Sequence, residues 1–308
     1  MIDVIVPNYN GADLLPTCLD ALRRQTRRDF RVTVADDAST DDSLRLLREQ
    51  YPEVQVLALP ANRGMAHAVN RALLATTGEF VALLNNDTEA DEQWLEQLIG
   101  ALEREPQYAF AASKLRLFDR RGLLHSAGDG YALDGVPFNR GVWERDLGQY
   151  DDDHEVWGPC GGAAAYRRSA LQALAVGEQV LDEDLFMYCE DVDLNLRARL
   201  RGMRTVFVPG AVVYHKLSAT GGGPLASYYC GRNFILVWAK NLPAAALQQY
   251  WAAFARRQLS FTWDALRNIR GRAARARLRG QLAGLRALPH FMAKRRRAAR
   301  CSESQAAS

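Results

Sequence analysis

The first 110 residues switch repeatedly between two hydrophobic periods, and that switching restricts the fold more than any other feature of the chain. Val4-Ile5-Val6, Val32-Thr33-Val34, Val54-Gln55-Val56-Leu57 and Phe80-Val81-Ala82-Leu83-Leu84 read as short strands. Helical patterns over about 12–25, 41–50 and 64–76 separate them. The fourth run is apolar throughout, as a strand buried on both faces must be. A β-α-β-α-β-α-β series implies an α/β domain with a mostly parallel sheet and right-handed crossovers. Ligands of such sheets sit beyond the carboxyl ends of the strands.

Those ends carry polar clusters. Pro7-Asn8-Tyr9-Asn10 follows the first strand, Asp36-Asp37-Ala38-Ser39-Thr40-Asp41 the second, Asn62-Arg63-Gly64 the third and Asn85-Asn86-Asp87-Thr88 the fourth. A single Asp pair in a loop is ordinarily a turn or a helix cap. Four such clusters on one sheet edge suit a nucleotide and a cation. Beyond 110 the reading is a stretch of small strands and loops to about 180, then a helix carrying Glu190-Asp191-Val192-Asp193 that ends near Gly202. A strand over Thr205–Val208 follows. From about 225 to 297 the pattern is helical, with Pro243 and Pro289 as expected breaks, and only the last few residues look disordered.

Charge divides the chain in the same place. Of 308 residues, 1–224 hold 23 Lys and Arg against 34 Asp and Glu, whereas 225–308 hold 16 against two. Two domains are expected: an acidic body, 1–224, and a basic amphipathic helical tail, 225–308. The five cysteines have no C-x-x-C spacing, so they read as reduced thiols and not as a disulfide framework or zinc site. No basic n-region precedes a long apolar stretch, and no window reaches the roughly 18 apolar residues of a membrane span. A cytoplasmic protein is expected.

Seven segments, in order, resemble the family-2 inverting glycosyltransferases of GT-A fold. They are Val4–Asn10 (VIVPNYN), Ala35–Asp41 (ADDASTD), Asn62–Ala72 (NRGMAHAVNRA), Leu83–Thr88 (LLNNDT), Gly158–Arg168 (GPCGGAAAYRR), Phe186–Arg197 (FMYCEDVDLNLR) and Val213–Thr220 (VYHKLSAT). LLNNDT, EDVDLNLR and Tyr228–Asn233 (YYCGRN) look most like the rhamnosyltransferase-like branch.

The resemblance implies a GT-A catalytic domain and assigns roles. Pro7, Asn8, Tyr9, Asp36, Asp37, Asn62, Gly64, Asn85 and Asn86 would bind the donor, with Asp36 accepting from a pyrimidine N3–H. The family's Asp-x-Asp metal motif is Asn85-Asn86-Asp87 here, so only its last carboxylate remains. Asp87 and His215 would hold Mn²⁺ or Mg²⁺ on the donor diphosphate. Asp191 would be the general base, Glu190 its neighbour on the acceptor side, and Asp193 a partner for Arg197 at i+4. Trp157, Gly161 and Gly162 would contact the acceptor. His67, His125, His154 and His290 are left as surface or loop residues.

The implied donor is dTDP-rhamnose, with a UDP-sugar as runner-up, and the implied acceptor a glycan or lipid-linked glycan of the cell surface. The basic tail, with Leu247, Trp251, Phe254 and Phe261 on one face, reads as a helix for an anionic membrane surface. The competing reading is a helical hairpin packed on the body or on a second copy in a homodimer. No recognised nucleic-acid fold accompanies the charge, so no nucleic-acid partner is expected. A non-catalytic nucleotide- or glycan-binding module is the alternative to an enzyme.

Overall fold

The computed structural model describes residues 1–216 and 223–306, with side chains to Arg296. The expectations for Leu217–Thr220 in the last motif and for the final two residues fall outside the described positions. The chain divides into two compact units, described separately below.

The first unit, Met1–Gly130 with the described part of Phe138–Thr220, is an α/β domain. It opens with β1 (Ile2–Asn8), α1 (Leu15–Arg23), β2 (Phe30–Asp36), α2 (Ser43–Gln50), β3 (Gln55–Ala58), α3 (Met65–Ala75) and β4 (Phe80–Leu84). Next come β5 (Thr88–Ala90), α4 (Trp94–Arg104), β6 (Tyr108–Leu117), β7 (Leu124–Ser126), β8 (Asp129–Tyr131), β9 (Pro137–Asn139), β10 (Glu155–Val156) and β11 (Ala163–Arg167). It closes with α5 (Arg168–Leu174), α6 (Glu190–Leu200) and β12 (Arg204–His215). The main sheet runs β10-β12-β6-β11-β4-β1-β2-β3, with β5 paired to β12 and β7 to β6.

The pairs β1/β2, β2/β3 and β1/β4 are parallel, as the alternating pattern predicts, and β6/β12 is parallel as well. The chain winds outward from β1 to β3 and then crosses to β4 on the other side of β1. That reversal makes a switch point at the carboxyl ends of β1 and β4, where ligands of such sheets bind. The strand expected at Thr205–Val208 is the first part of the twelve-residue β12, which carries a register shift between Val208 and Val212. Helices cover both faces. Trp94 of α4 is fully buried on one face, and its indole N–H donates to Ser113 Oγ at 2.9 Å, so a large apolar ring is interred without an orphaned donor. Ala66, Val69 and Ala72 of α3 are buried in the core on the other face.

The second unit joins Tyr131–Pro137 to three helices, α7 (Pro224–Asn241), α8 (Ala244–Arg267) and α9 (Arg272–Ala306). Pro243 separates α7 from α8 as expected. Pro289 does not end a helix: it lies inside α9. The long packing of α9 on α7 explains this, because glycines let the two backbones meet. A Cβ on Gly280 would come within 2.1 Å of Tyr228 O, and one on Gly284 within 2.8 Å of Arg232 O. Phe291, two residues past the proline, is buried, so tertiary contacts hold the helix through a residue that would break an isolated one.

Candidate active site

Asn8 ends β1 and Asp36 ends β2, opposite one another in the parallel register. Asn8 Nδ2 donates to Asp36 Oδ2 at 2.8 Å, while Ser39 donates its N–H to Oδ1 and its hydroxyl to Oδ2. Asp36 has no exposed surface and acts as a hub that fixes Asn8 and Ser39. Asn86 Nδ2 then donates to Asn8 Oδ1 at 2.7 Å, joining the end of β1 to the loop after β4. Gly11 is required here, since a Cβ would lie 2.3 Å from Asn86 Nδ2. Pro7 is half-buried in β1, and Tyr9 is exposed just beyond the strand.

Asp37 faces the other way. Its oxygens accept the N–H groups of Arg63 and Gly64, at 3.1 and 2.7 Å, and so tie down the loop that opens α3. Burial raises its carboxyl above the ordinary value, and those two N–H groups oppose the rise. Gly64 adopts φ +92° and lies under Phe186, whose carbonyl oxygen would be 2.4 Å from an added Cβ. Asn62 is exposed in the same loop.

The antiparallel pairing of β5 with β12 sets His215 opposite Thr88 and so beside Asp87. His215 Nε2 lies 3.1 Å from Asp87 Oδ1, and both side chains are buried. His125 of β7 backs this pair, its Nδ1 being 2.9 Å from His215 Nδ1. Burial, with His215 as a second cause, pushes the His125 imidazole down to about 3. Both His125 and His67 correct the sequence reading. His125 is buried against the expected metal ligand, and His67 is buried in α3 with Nδ1 2.9 Å from Glu183 Oε2. His154 is exposed as expected.

Gly161 and Gly162 lie between this pair and the acids of α6. Gly162 O accepts from Asn85 N–H at 2.9 Å, and a Cβ on Gly162 would touch His215 Cε1 at 3.5 Å. Gly161 N–H donates to Asp191 Oδ2 at 2.9 Å, and a Cβ there would lie 2.8 Å from that of Asp191. Trp157, half-buried, begins the same segment one residue after β10. Asp36, Asp87, His215 and Asp191 therefore belong to one connected cluster, running Asp36–Asn8–Asn86–Asp87–His215–Gly162–Gly161–Asp191.

The chain enters α6 through Phe186, Tyr188 and Cys189, all at positive φ. Each such non-glycine residue costs roughly 1–3 kcal/mol, and strain of this kind gathers at functional sites. The turn presents Glu190 and Asp191 as the first residues of the helix, with Glu190 buried and Asp191 half-buried. Asp193 is fully buried and pairs with Arg197 Nε at 2.9 Å, the expected i+4 bridge. Burial raises the Asp191 carboxyl above its ordinary value, while the N–H groups of Gly161 and Val192 oppose the rise. Sequence reasoning missed its neighbour Asp129. One ligand atom each from Asp129, Cys160 and Asp191 lies within 4.8 Å of the others. Burial first, and the Asp191 charge second, push Asp129 up to about 7.

Two groups could hold a cation. An octahedral Mg²⁺ with ligands at about 2.0–2.1 Å has neighbouring ligands about 3 Å apart, which the Asp87–His215 separation matches. The Asp129–Cys160–Asp191 group fits less well. Burial raises the Cys160 thiol well above its usual range, and the thiolate is the form that binds metal.

The model of the family described as "Glycosyl transferase family 2" matches residues 3–175, just over half of the chain. An N-acetylglucosaminyl-diphospho-decaprenol L-rhamnosyltransferase of Mycobacterium tuberculosis is 28% identical over 249 residues, covering 73% of this chain and 79% of that protein. Among solved structures, TarS 1–349 of S. aureus is similar with TM-score 0.57 at 22% identity, covering 84% of this chain and 72% of that one. The mannosyltransferase PcManGT of Pyrobaculum calidifontis, solved with GDP-Man and Mn²⁺, gives TM-score 0.56 at 20% identity, covering 100% of this chain and 80% of that one.

Proposed function

The chain belongs to glycosyl transferase family 2, and from that premise we propose that it transfers a sugar, with inversion, from a nucleoside-diphosphate donor to a glycan-type acceptor. The observation that carries this reading is the placement of Asp191 and the Asp87–His215 pair on either side of Gly161 and Gly162. One group suits proton abstraction and the other a diphosphate-bound cation.

In this proposal Asp191 takes the proton of an acceptor hydroxyl as that oxygen attacks the anomeric carbon from the face opposite the diphosphate. The bond to the diphosphate breaks, and the nucleoside diphosphate leaves with the electron pair. A carboxylate raised by burial is a stronger base than an exposed one, and a positioned base contributes about 10²–10⁴-fold. Glu190 lies on the acceptor side. Asp87 and His215 would hold Mn²⁺ or Mg²⁺, whose contribution when bound is to neutralise charge on the leaving diphosphate. Asn85 would bind the donor beside them, with Asn86 holding Asn8 through its amide, and Trp157, Gly161 and Gly162 would receive the acceptor. Because Asp36 is fully buried, we read it as holding Asn8 and Ser39 for the donor, with Pro7 and Tyr9 walling the base. Asp37 holds the Arg63 and Gly64 backbone, and with it the loop that carries Asn62.

The similarity to a rhamnosyltransferase supports dTDP-rhamnose as donor, a UDP-sugar as alternative, and a lipid-linked precursor of a cell-surface polysaccharide as acceptor. The tail suits a membrane-associated acceptor. Among the described residues no helix is long and apolar enough to cross a membrane. On α8, however, Trp251, Leu259, Trp263 and Leu266 are all at least half exposed in a segment with a large excess of basic residues. Each basic residue near an anionic leaflet contributes about 1 kcal/mol. Co-sedimentation with anionic vesicles at low salt, lost at high salt, is expected; recovery in the supernatant at low salt would remove the membrane from the proposal.

Thermal melts with Mn²⁺ across dTDP-, UDP- and GDP-sugars test the donor, since a ligand of the folded state raises its stability. The true donor raises Tm and is turned over. If none of these nucleotide sugars raises Tm, the donor proposal falls and the glycan-binding, non-catalytic reading takes its place.

A further inference from the structure

The short strand β7 places a second imidazole directly behind the pair that would hold the cation. His215 Nε2 points at Asp87 Oδ1, 3.1 Å away, and His215 Nδ1 points at His125 Nδ1, 2.9 Å away. Asp87, His125 and His215 are all less than 10% exposed, so water does little of the hydrogen bonding here. A contact between two Nδ1 atoms holds one proton, because two protonated nitrogens repel and two bare ones leave lone pairs facing each other. The position of that proton determines what His215 offers to Asp87. If it sits on His125, His215 carries its own proton on Nε2 and donates to Asp87, which closes the site to a cation. If it sits on His215 Nδ1, the Nε2 lone pair and the Asp87 carboxylate face the same point, as two ligands of a metal do.

We propose that His125 is the positioning residue of the cation site: its Nδ1 accepts the Nδ1–H of His215 and so keeps the His215 Nε2 lone pair turned to Asp87. This rests on the reading of Asp87 and His215 as cation ligands and extends it to a residue outside the matched motifs. On cation loading the two rings exchange tautomers without net change of protonation. His215 releases its Nε2 proton to water and takes the proton of His125 Nδ1, and His125 regains one on Nε2 from water, so neither ring changes charge. The second ring N–H of a metal-binding imidazole commonly donates to a carboxylate or a carbonyl; here the buried imidazole of His125 fills the acceptor's place.

Titration of Mn²⁺ into the full chain with saturating dTDP, and with UDP in a parallel arm, tests this when unbound Mn²⁺ is read by electron paramagnetic resonance. Wild type, His215→Ala, His125→Leu and His125→Asn are compared. Loss of an outer partner weakens metal binding by about 10–100-fold, so His125→Leu is expected to weaken Mn²⁺ by that factor. His125→Asn, whose amide oxygen can accept where Nδ1 did, is expected to stay within about threefold of wild type on the same basis. If His215→Ala weakens Mn²⁺ but His125→Leu does not, the positioning role is overturned and the cation site stands. If His215→Ala also binds like wild type, the cation site itself falls. Should His125→Leu fail to fold, ring ¹⁵N spectra of the wild type with Mg²⁺ and nucleotide decide. A proton on His215 Nδ1 and a bare His125 Nδ1 support the role, and the reverse overturns it.

Discussion

Replacing Asp129 with Asn changes the pH dependence of stability in a direction fixed by its surroundings. Asp129 is buried, accepts from Ser126 Oγ at 2.6 Å and Asn139 Nδ2 at 2.7 Å, and shares its pocket with Cys160 and Asp191. Cys160 and Tyr166 also feel the Asp129 charge, together with those of Asp191 and Glu190. Its carboxyl titrates at about 7 in the folded chain against 3.8 ordinarily. Below the lower value both folded and unfolded chains are protonated and the group contributes no pH dependence. Between the two values the unfolded chain has released a proton that the folded chain keeps, so stability falls as pH rises, and the full loss is present above about 7. Roughly three units at 1.36 kcal/mol each amount to about 4 kcal/mol. At about 2–4 °C per kcal/mol for a domain of this size, that is roughly 10 °C in Tm.

An amide oxygen preserves the acceptor for Ser126 and Asn139 but carries no charge. Melting curves of wild type and Asp129→Asn from pH 4 to 9 should therefore converge near pH 4 and separate in favour of the variant above pH 7. Parallel curves across that range would refute the assignment of the raised carboxyl to Asp129.

Gly64→Ala forces a Cβ against Phe186 O in a backbone at φ +92°. It should destabilise the chain by about 1–3 kcal/mol from the backbone alone, measured by urea unfolding. Asp37→Ala strips the acceptor from the Arg63 and Gly64 N–H groups. The buried Gly64 N–H left unsatisfied costs about 1–3 kcal/mol, and the loop should loosen, seen as a raised KM for the donor with a smaller change in kcat.

The wound half of the domain was legible because parallel βα units advertise themselves. Each strand from β1 to β4 is short, apolar and followed at once by polar residues, and the topology must bring those residues to one edge. Asn8, Asp36, Asn86 and Asp87 were found that way, and the i+4 spacing found the Asp193–Arg197 bridge. The segment from 111 to 180 gave no such signal. Ser126, Asp129, Asn139 and Cys160 meet through antiparallel pairings, isolated bridges and loops that no period describes. His125 was invisible for the same reason: its partner is 90 residues away and only the folding of β7 against β6 joins them. Pro289 misled in the opposite sense, since a local rule that ends an isolated helix yields to the glycine-lined packing of α9 on α7.

The role of Asp191 as the base is tested most directly by sugar transfer from the nucleotide donor, measured beside nucleotide binding, in wild type and Asp191→Asn. Transfer should fall by about 10²–10⁴-fold while nucleotide affinity in Mn²⁺ stays near that of wild type. Transfer at the wild-type rate in Asp191→Asn would contradict the account.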